Sequence, residues 1–266
     1  MKVCSLEFGT IFKKAFVSPK HFNALVSAVL KQEIKVTEVH AEYKKIEGKC
    51  GTIDLAYDLF AEDEENDTII EVQRRKEPDF FARFRHYHYS AVISQGQKSQ
   101  DYTPPKNVYT IVVLTGSPKD LTESAMELKC SWHGWDSQTI LESEQMDPEE
   151  KRHRLIVLVP RLVNEKTPTH LKKWLELMDA TFTNNFDQRI DVDEDKFGDK
   201  IFTDILNSIQ FNMLTGREKK MYDDEVRQIE AEKLQREEGR KEREEEIAQK
   251  GLEMGLSETQ IQELLK

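Results

Sequence analysis

Residues 53–73 read IDLAYDLFAEDEENDTIIEVQ. Two runs rich in apolar, β-favouring residues flank an acidic polar turn, which is the pattern of a β-hairpin. No other stretch constrains the chain so tightly, because a hairpin dictates which side chains face each other. The first arm carries Asp54 and Asp58, and the second ends in Glu71-Val72-Gln73. Side chains alternate faces along a strand, so Glu71 and Gln73 point the same way. The polar turn runs from Asp63 to Asp67. Centred near residue 65, it pairs position 58 with position 72, one residue from Glu71. Asp54 pairs near position 76, roughly 13 Å further along at ~3.3 Å per residue. Asp58 is therefore the better partner for Glu71, and Asp54 reaches it only through a bulge or a shifted register.

Two carboxylates brought together repel unless a cation or a proton lies between them. Mg²⁺ suits such a pair, since it takes hard oxygen ligands and keeps waters that a phosphate can displace. A metal there lowers the pKa of a bound water and polarises a phosphodiester. Gln73 can orient the attacking water but carries no charge. Basic residues border the hairpin: Lys44, Lys45 and Lys49 enter it, Arg74, Arg75 and Lys76 leave it, and Arg83 and Arg85 follow. Such residues can hold phosphates on either side of a scissile bond. The competing reading is an ordinary charged surface hairpin.

The charge distribution permits an anionic partner despite a net charge of −11. Residues 1–120 are balanced, with 17 basic and 17 acidic side chains, and residues 121–266 hold the whole acidic excess. Three distant cysteines (Cys4, Cys50, Cys130) form no CxxC pair, which points to free thiols in a reducing compartment. The histidines show no ligand spacing; His86 and His88, two apart on a helix, face nearly opposite ways. No Gly-rich phosphate loop occurs. No apolar run reaches the ~18 residues of a membrane span, and Lys2 precedes no signal-like apolar stretch. A cytoplasmic protein with no membrane partner is expected.

Periodicity places the remaining elements. Ile11, Phe12, Ala15 and Phe16 have helical spacing. Ser18-Pro19 restarts a helix whose stripe is Phe22, Leu25, Val26, Val29 and Leu30. A strand is expected between Ile34 and Ile46. A helix from Asp79 to about Gln95 presents one broad apolar face of Phe80, Phe81, Phe84, Tyr87, His88, Ala91 and Val92, with Arg83 and Arg85 elsewhere on its surface. Val108–Leu114 and Leu155–Val159 read as buried strands. Residues 117–153 read as polar and irregular, with Trp132 and Trp135 anchoring a surface loop. Thr167-Pro168 opens a helix through Trp174, Leu175 and Met178. Asp191–Asp195 reads as an acidic loop, and a further helix carries Ile201, Ile205, Leu206 and Ile209. From Arg217 to about Lys250 nearly every residue is charged or polar, as in a solvated helix or one that pairs weakly with a partner. Gly251 and Gly255 are expected to break it, before a short capped helix with Ile261, Leu264 and Leu265. The order gives an α/β core with a central mixed sheet over residues 1–212 and a charged helical extension over 213–266.

Taken in order, these pieces resemble the PD-(D/E)XK nuclease superfamily, in particular its recombination-promoting nuclease and putative transposase branch. Ile11-Phe12-Lys13-Lys14-Ala15-Phe16 is similar to the branch's Phe-Lys-Lys-x-Phe opening. Tyr57–Glu64 resembles its Asp-x-x-x-Glu-Asp-Glu arm, and Glu71-Val72-Gln73 its Glu-x-Gln. Phe80-x-x-Arg83-x-x-His86-Tyr87 with Gln95, and then Val108–Ile111, resemble the following helix and core strand. The resemblance spans most of residues 5–180. It implies a restriction-endonuclease-like core and Mg²⁺- or Mn²⁺-dependent endonucleolytic hydrolysis of DNA, in a setting of transposition or recombination. By position, it implies Asp58 and Glu71 as metal ligands, with the Val72 backbone carbonyl as an added ligand and Asp54 as the alternative. Gln73 stands where the superfamily has its motif lysine. Gly9 stands where the branch often has an Asp, which leaves Glu7 as the nearest N-terminal acid. Arg74, Arg75, Lys76 and Arg83 are the expected DNA contacts. A catalytically silent nuclease fold that binds DNA or protein is the alternative, and the charged C-terminal helix is expected to self-associate or to take a protein partner.

Overall fold

The computed structural model describes residues 1–44, 56–74, 79–95, 105–116, 120–129, 135, 153–182, 189–254 and 260. The chain divides into two compact units, Met1–Glu218 and Lys219–Lys266.

The first unit is α/β. Its six-stranded mixed sheet has strands β2 (His40–Lys44), β3 (Ala56–Glu62), β4 (Asn66–Gln73), β5 (Asn107–Leu114), β6 (Ala125–Glu127) and β7 (His153–Leu158), in the order β2-β3-β4-β5-β7-β6. β2, β3 and β4 run antiparallel in succession, β4, β5 and β7 run parallel, and β6 closes the far edge antiparallel to β7. A separate two-stranded ribbon joins β1 (Lys2–Val3) to β8 (Ile190–Asp191), with Lys2 opposite Asp191.

Continuous apolar runs belong to strands buried on both faces. Val108, Ile111, Val112, Val113 and Leu114 of β5 are all fully buried. Helix α3 (Phe80–Ile93) covers one face: Phe80 and Phe84 pack with Val112, Leu114, Leu155 and Val157. On the same helix, Ala91 meets Tyr57, Phe60, Ile69 and Val108. His88 is buried and hydrogen-bonded to Thr110 Oγ1 at 3.0 Å, and burial brings its pKa down to about 4. Helix α1 (Gly9–Phe16) packs on β3 and β4 and against α2 (Pro19–Leu30). Helices α4 (Thr169–Thr181) and α5 (Lys200–Ser208) complete this layer.

Several expectations shift. Ser18 precedes α2 without a side-chain cap hydrogen bond, so Pro19 alone marks the start. Asp191 lies in β8, where a loop was expected. Residues 117–153 contain β6, and Trp135 is 98% exposed, so it anchors nothing. Trp132 lies outside the described residues. Helix α6 (Gly216–Glu253) runs through Gly251 without a break, because one glycine costs a helix only about 1 kcal/mol. Gly255 and the short helix expected after it fall largely outside the described residues. Among the described residues, no helix is long and apolar enough to cross a membrane.

Candidate functional site

The hairpin turn closes earlier than its polar composition suggests. Asp63 N–H donates to Asn66 O at 2.9 Å. The Asp63 carboxylate accepts the backbone N–H groups of Glu65 (2.8 Å) and Asn66 (2.7 Å). An aspartate folded back on its own loop in this way fixes a tight turn. The loop is therefore Glu64-Glu65, and Asp67 belongs to β4. There Asp67 is buried, accepting Gln95 Nε2 at 3.1 Å and facing Lys106 Nζ at 3.5 Å. The ladder runs from Glu62 opposite Asp67 to Leu59 opposite Ile70. Extended by one position, that register sets Asp58 opposite Glu71. Moving the turn centre by half a residue removes the one-residue offset.

Beyond Leu59 and Ile70 the carboxylates take over from the ladder. Asp58 N–H donates to Glu71 Oε1 at 3.1 Å, and Val72 N–H donates to Asp58 Oδ2 at 2.9 Å. Each acid is thus tied to the backbone of the facing strand. The pleat is interrupted here. Tyr57 and Phe60, three apart, both pack under α3, which strict alternation would forbid. On the neighbouring β2, Ala41 pairs with Leu59 and Tyr43 with Tyr57, which leaves Glu42 across from Asp58 with a left-handed φ of 54°.

The electrostatics match this crowding. Glu71 is 4% exposed, and its pKa is pushed well above the ordinary value, first by burial and then by the neighbouring Asp58 charge. Burial also raises Asp58, against the pull of the Val72 hydrogen bond and of the Lys13 and Arg83 charges. Lys13 Nζ, from α1, lies 2.9 Å from Glu42 Oε1 and 4.0 Å from Asp58 Oδ1. Arg83 Nη2 donates to Gln73 Oε1 at 2.5 Å, and its guanidinium lies 4.7 Å from the Phe84 ring centroid. Arg83 was expected on the open surface of α3; it instead joins α3 to the end of β4.

Arg74 is placed differently from a solvent-facing phosphate contact. Its Nε is 3.4 Å from the buried Glu7 Oε1, and its guanidinium lies over Phe8. Glu7 also faces Arg161 Nη2 at 3.9 Å, so this N-terminal acid is neutralised by arginines. Asp54, Arg75 and Lys76 lie outside the described residues. Lys13 and Glu42 were missed as site residues in the sequence: 29 positions apart, on a helix and an edge strand, they share no local pattern. The signals for Lys13 were its place in the Phe-Lys-Lys-x-Phe opening and on the polar side of a helix whose Ile11, Phe12, Ala15 and Phe16 are buried.

The donor set fits a hard divalent cation. Asp58 Oδ1 and Glu71 Oε2 are carboxylate oxygens not taken by a backbone N–H, and a cation there offsets the burial that raises both pKa values and the Asp58 charge that adds to it at Glu71. Among the described residues, no group of three or more His, Cys, Asp or Glu side chains converges to hold a metal. Comparison of the chain with protein-family models, with curated proteins and with solved structures finds no match.

Proposed function

We propose that this protein is a Mg²⁺- or Mn²⁺-dependent DNA endonuclease with a restriction-endonuclease-like core of the PD-(D/E)XK kind, acting in transposition or recombination. One observation carries the reading: two carboxylates, the half-buried Asp58 and the buried Glu71, are tied across a hairpin to each other's strands at 3.1 and 2.9 Å. They lie toward the carboxyl end of β4, which runs parallel to β5. When bound, a divalent ion supplies Lewis-acid activation of the phosphodiester and an acidified water.

This chain's own residues do the rest. Asp58 and Glu71 hold the ion, and their backbone hydrogen bonds restrict both side chains before it arrives. The Val72 carbonyl, between Glu71 and Gln73, would be the added backbone ligand. Gln73 commits its carbonyl oxygen to Arg83, so its amide N–H₂ acts as a donor. It can orient a water oxygen but cannot accept that water's proton. The Arg83 guanidinium adds positive charge beside Gln73, where an anionic backbone can lie. Hydrolysis forms one P–O bond from water and breaks one ester P–O bond; the attacking water's proton passes to solvent and the leaving oxygen takes one up.

Plasmid nicking in Mg²⁺ or Mn²⁺ tests the reading. Asp58→Ala and Glu71→Ala should each slow nicking by at least about 100-fold, the usual scale for losing a group that stabilises the transition state. Undiminished nicking in both variants sinks the assignment.

A further inference from the structure

We propose that Lys13 and the divalent ion share Asp58, with Glu42 as a second seat that keeps the Lys13 ammonium beside the site to meet the scissile phosphate. This rests on the metal-site reading above and adds two residues to it.

The geometry around Lys13 carries the inference. Its side chain is 16% exposed and reaches the hairpin from α1, a different element. The ammonium has three donors. One meets Glu42 Oε1 at hydrogen-bond distance, and Asp58 Oδ1 at 4.0 Å is too far for another. Lys13 therefore stands poised between two acids and is fully paired with one. A phosphate oxygen arriving at a metal on Asp58 would enter the same neighbourhood and could take the remaining donors.

Glu42 is the unusual partner. It lies across from Asp58 in the β2–β3 register, on the edge strand, yet the ladder skips it. Its φ of 54° is a left-handed backbone that a non-glycine residue rarely adopts. That conformation interrupts the β2–β3 register at the position facing Asp58, where the Glu42 carboxylate meets Lys13. Strained backbone beside a polar site is where functional constraint concentrates. The Glu42 side chain is 58% exposed, so its pair with Lys13 adds little stability by itself. The pair's position, rather than its strength, is what matters.

Charge arithmetic then sets opposite expectations for two substitutions. Lys13 is a cation near the site of a second cation, so it opposes metal binding while assisting a phosphate. Removing it should tighten the metal and slow the cut. Removing the Glu42 charge leaves the Lys13 ammonium to Asp58, 4.0 Å away, and to the Glu71 charge that it also feels, so it moves toward the metal's own ligands and weakens the metal. A purely structural role, pinning α1 to β2, would change thermal stability and leave metal affinity alone.

The test is calorimetric titration of the full chain with Mn²⁺, alongside plasmid nicking. Lys13→Met should bind Mn²⁺ about three- to tenfold more tightly and nick at least about tenfold more slowly, the scale expected for one partly screened charge. Glu42→Gln should bind Mn²⁺ about threefold more weakly, and the double variant should match Lys13→Met. Circular dichroism confirms that each variant is folded. Wild type that binds Mn²⁺ with Lys13→Met and Glu42→Gln both unchanged overturns the Lys13 proposal alone. Wild type that takes up no Mn²⁺ overturns the metal site and this inference together.

Discussion

At Glu71 the fold holds a carboxyl group where water cannot solvate it and a second acid faces it. Its folded pKa lies well above its unfolded one, so between those values the folded chain holds the extra proton. Stability therefore falls as pH rises from the ordinary carboxylate range through the raised value, and it stays lower above it. Glu71→Gln keeps an oxygen for the Asp58 N–H and removes the charge. In urea denaturation without divalent ions, this variant should gain about 1–3 kcal/mol at pH 8 and show a flatter pH dependence above the ordinary carboxylate range. A less stable Glu71→Gln at pH 8 would contradict the account of the pair. At this scale the sequence showed which acids mattered, since Asp58, Glu71 and Gln73 stand out by type and spacing. It did not show that Arg83 turns inward to Gln73 or that Arg74 turns to Glu7. Those contacts depend on where α3 and the N-terminal segment pack, which no local pattern records.

At the scale of the element, the hairpin was readable and its register nearly so. The error came from Asp67, which looks like turn sequence yet is buried in β4 with Gln95 and Lys106 as partners. Polar residues satisfied by distant side chains are invisible to a pattern of alternation. Periodic elements such as α2, α3, β5 and β7 emerged near their expected places. The short strands β1, β6 and β8 did not, because two or three residues hold no period. One close approach secures the site's outer end. Thr115 N–H donates to Gln73 O at 2.9 Å, and a Cβ at the adjacent Gly116 would sit 2.6 Å from Arg74 O. Gly116→Ala must push the backbone beside Gln73 and should cost about 1–3 kcal/mol, as overpacking does. Wild-type stability in that variant, measured by urea denaturation, would show that the contact yields freely.

At the scale of the whole molecule, the α/β class with a mixed sheet and a charged C-terminal helix was legible in the order of elements and in the placement of charge. The Lys219–Lys266 unit follows a different logic from the sheet. From Arg227 to Lys250 its helix contains no buried residue among those described, and pairs such as Arg240–Glu244 at 3.4 Å and Lys250–Glu246 at 2.5 Å link successive turns. Such pairs give a few tenths of a kcal/mol each and weaken with salt. Deleting residues 231–266 should therefore leave the thermal midpoint of the remaining chain within about 2 °C. If the helix is a self-association surface, light scattering will show the full chain above monomer mass and the truncated chain at it; equal masses would remove that role.

On the proposed function, Asp58 and Glu71 together hold one divalent ion. Mn²⁺ binding followed by electron paramagnetic resonance tests it directly, because bound and free Mn²⁺ give separable signals. The wild-type chain should take up one ion, and Asp58→Ala and Glu71→Ala should each weaken that uptake by at least about tenfold, as loss of one charged ligand requires. Uptake unchanged by either substitution would contradict the account.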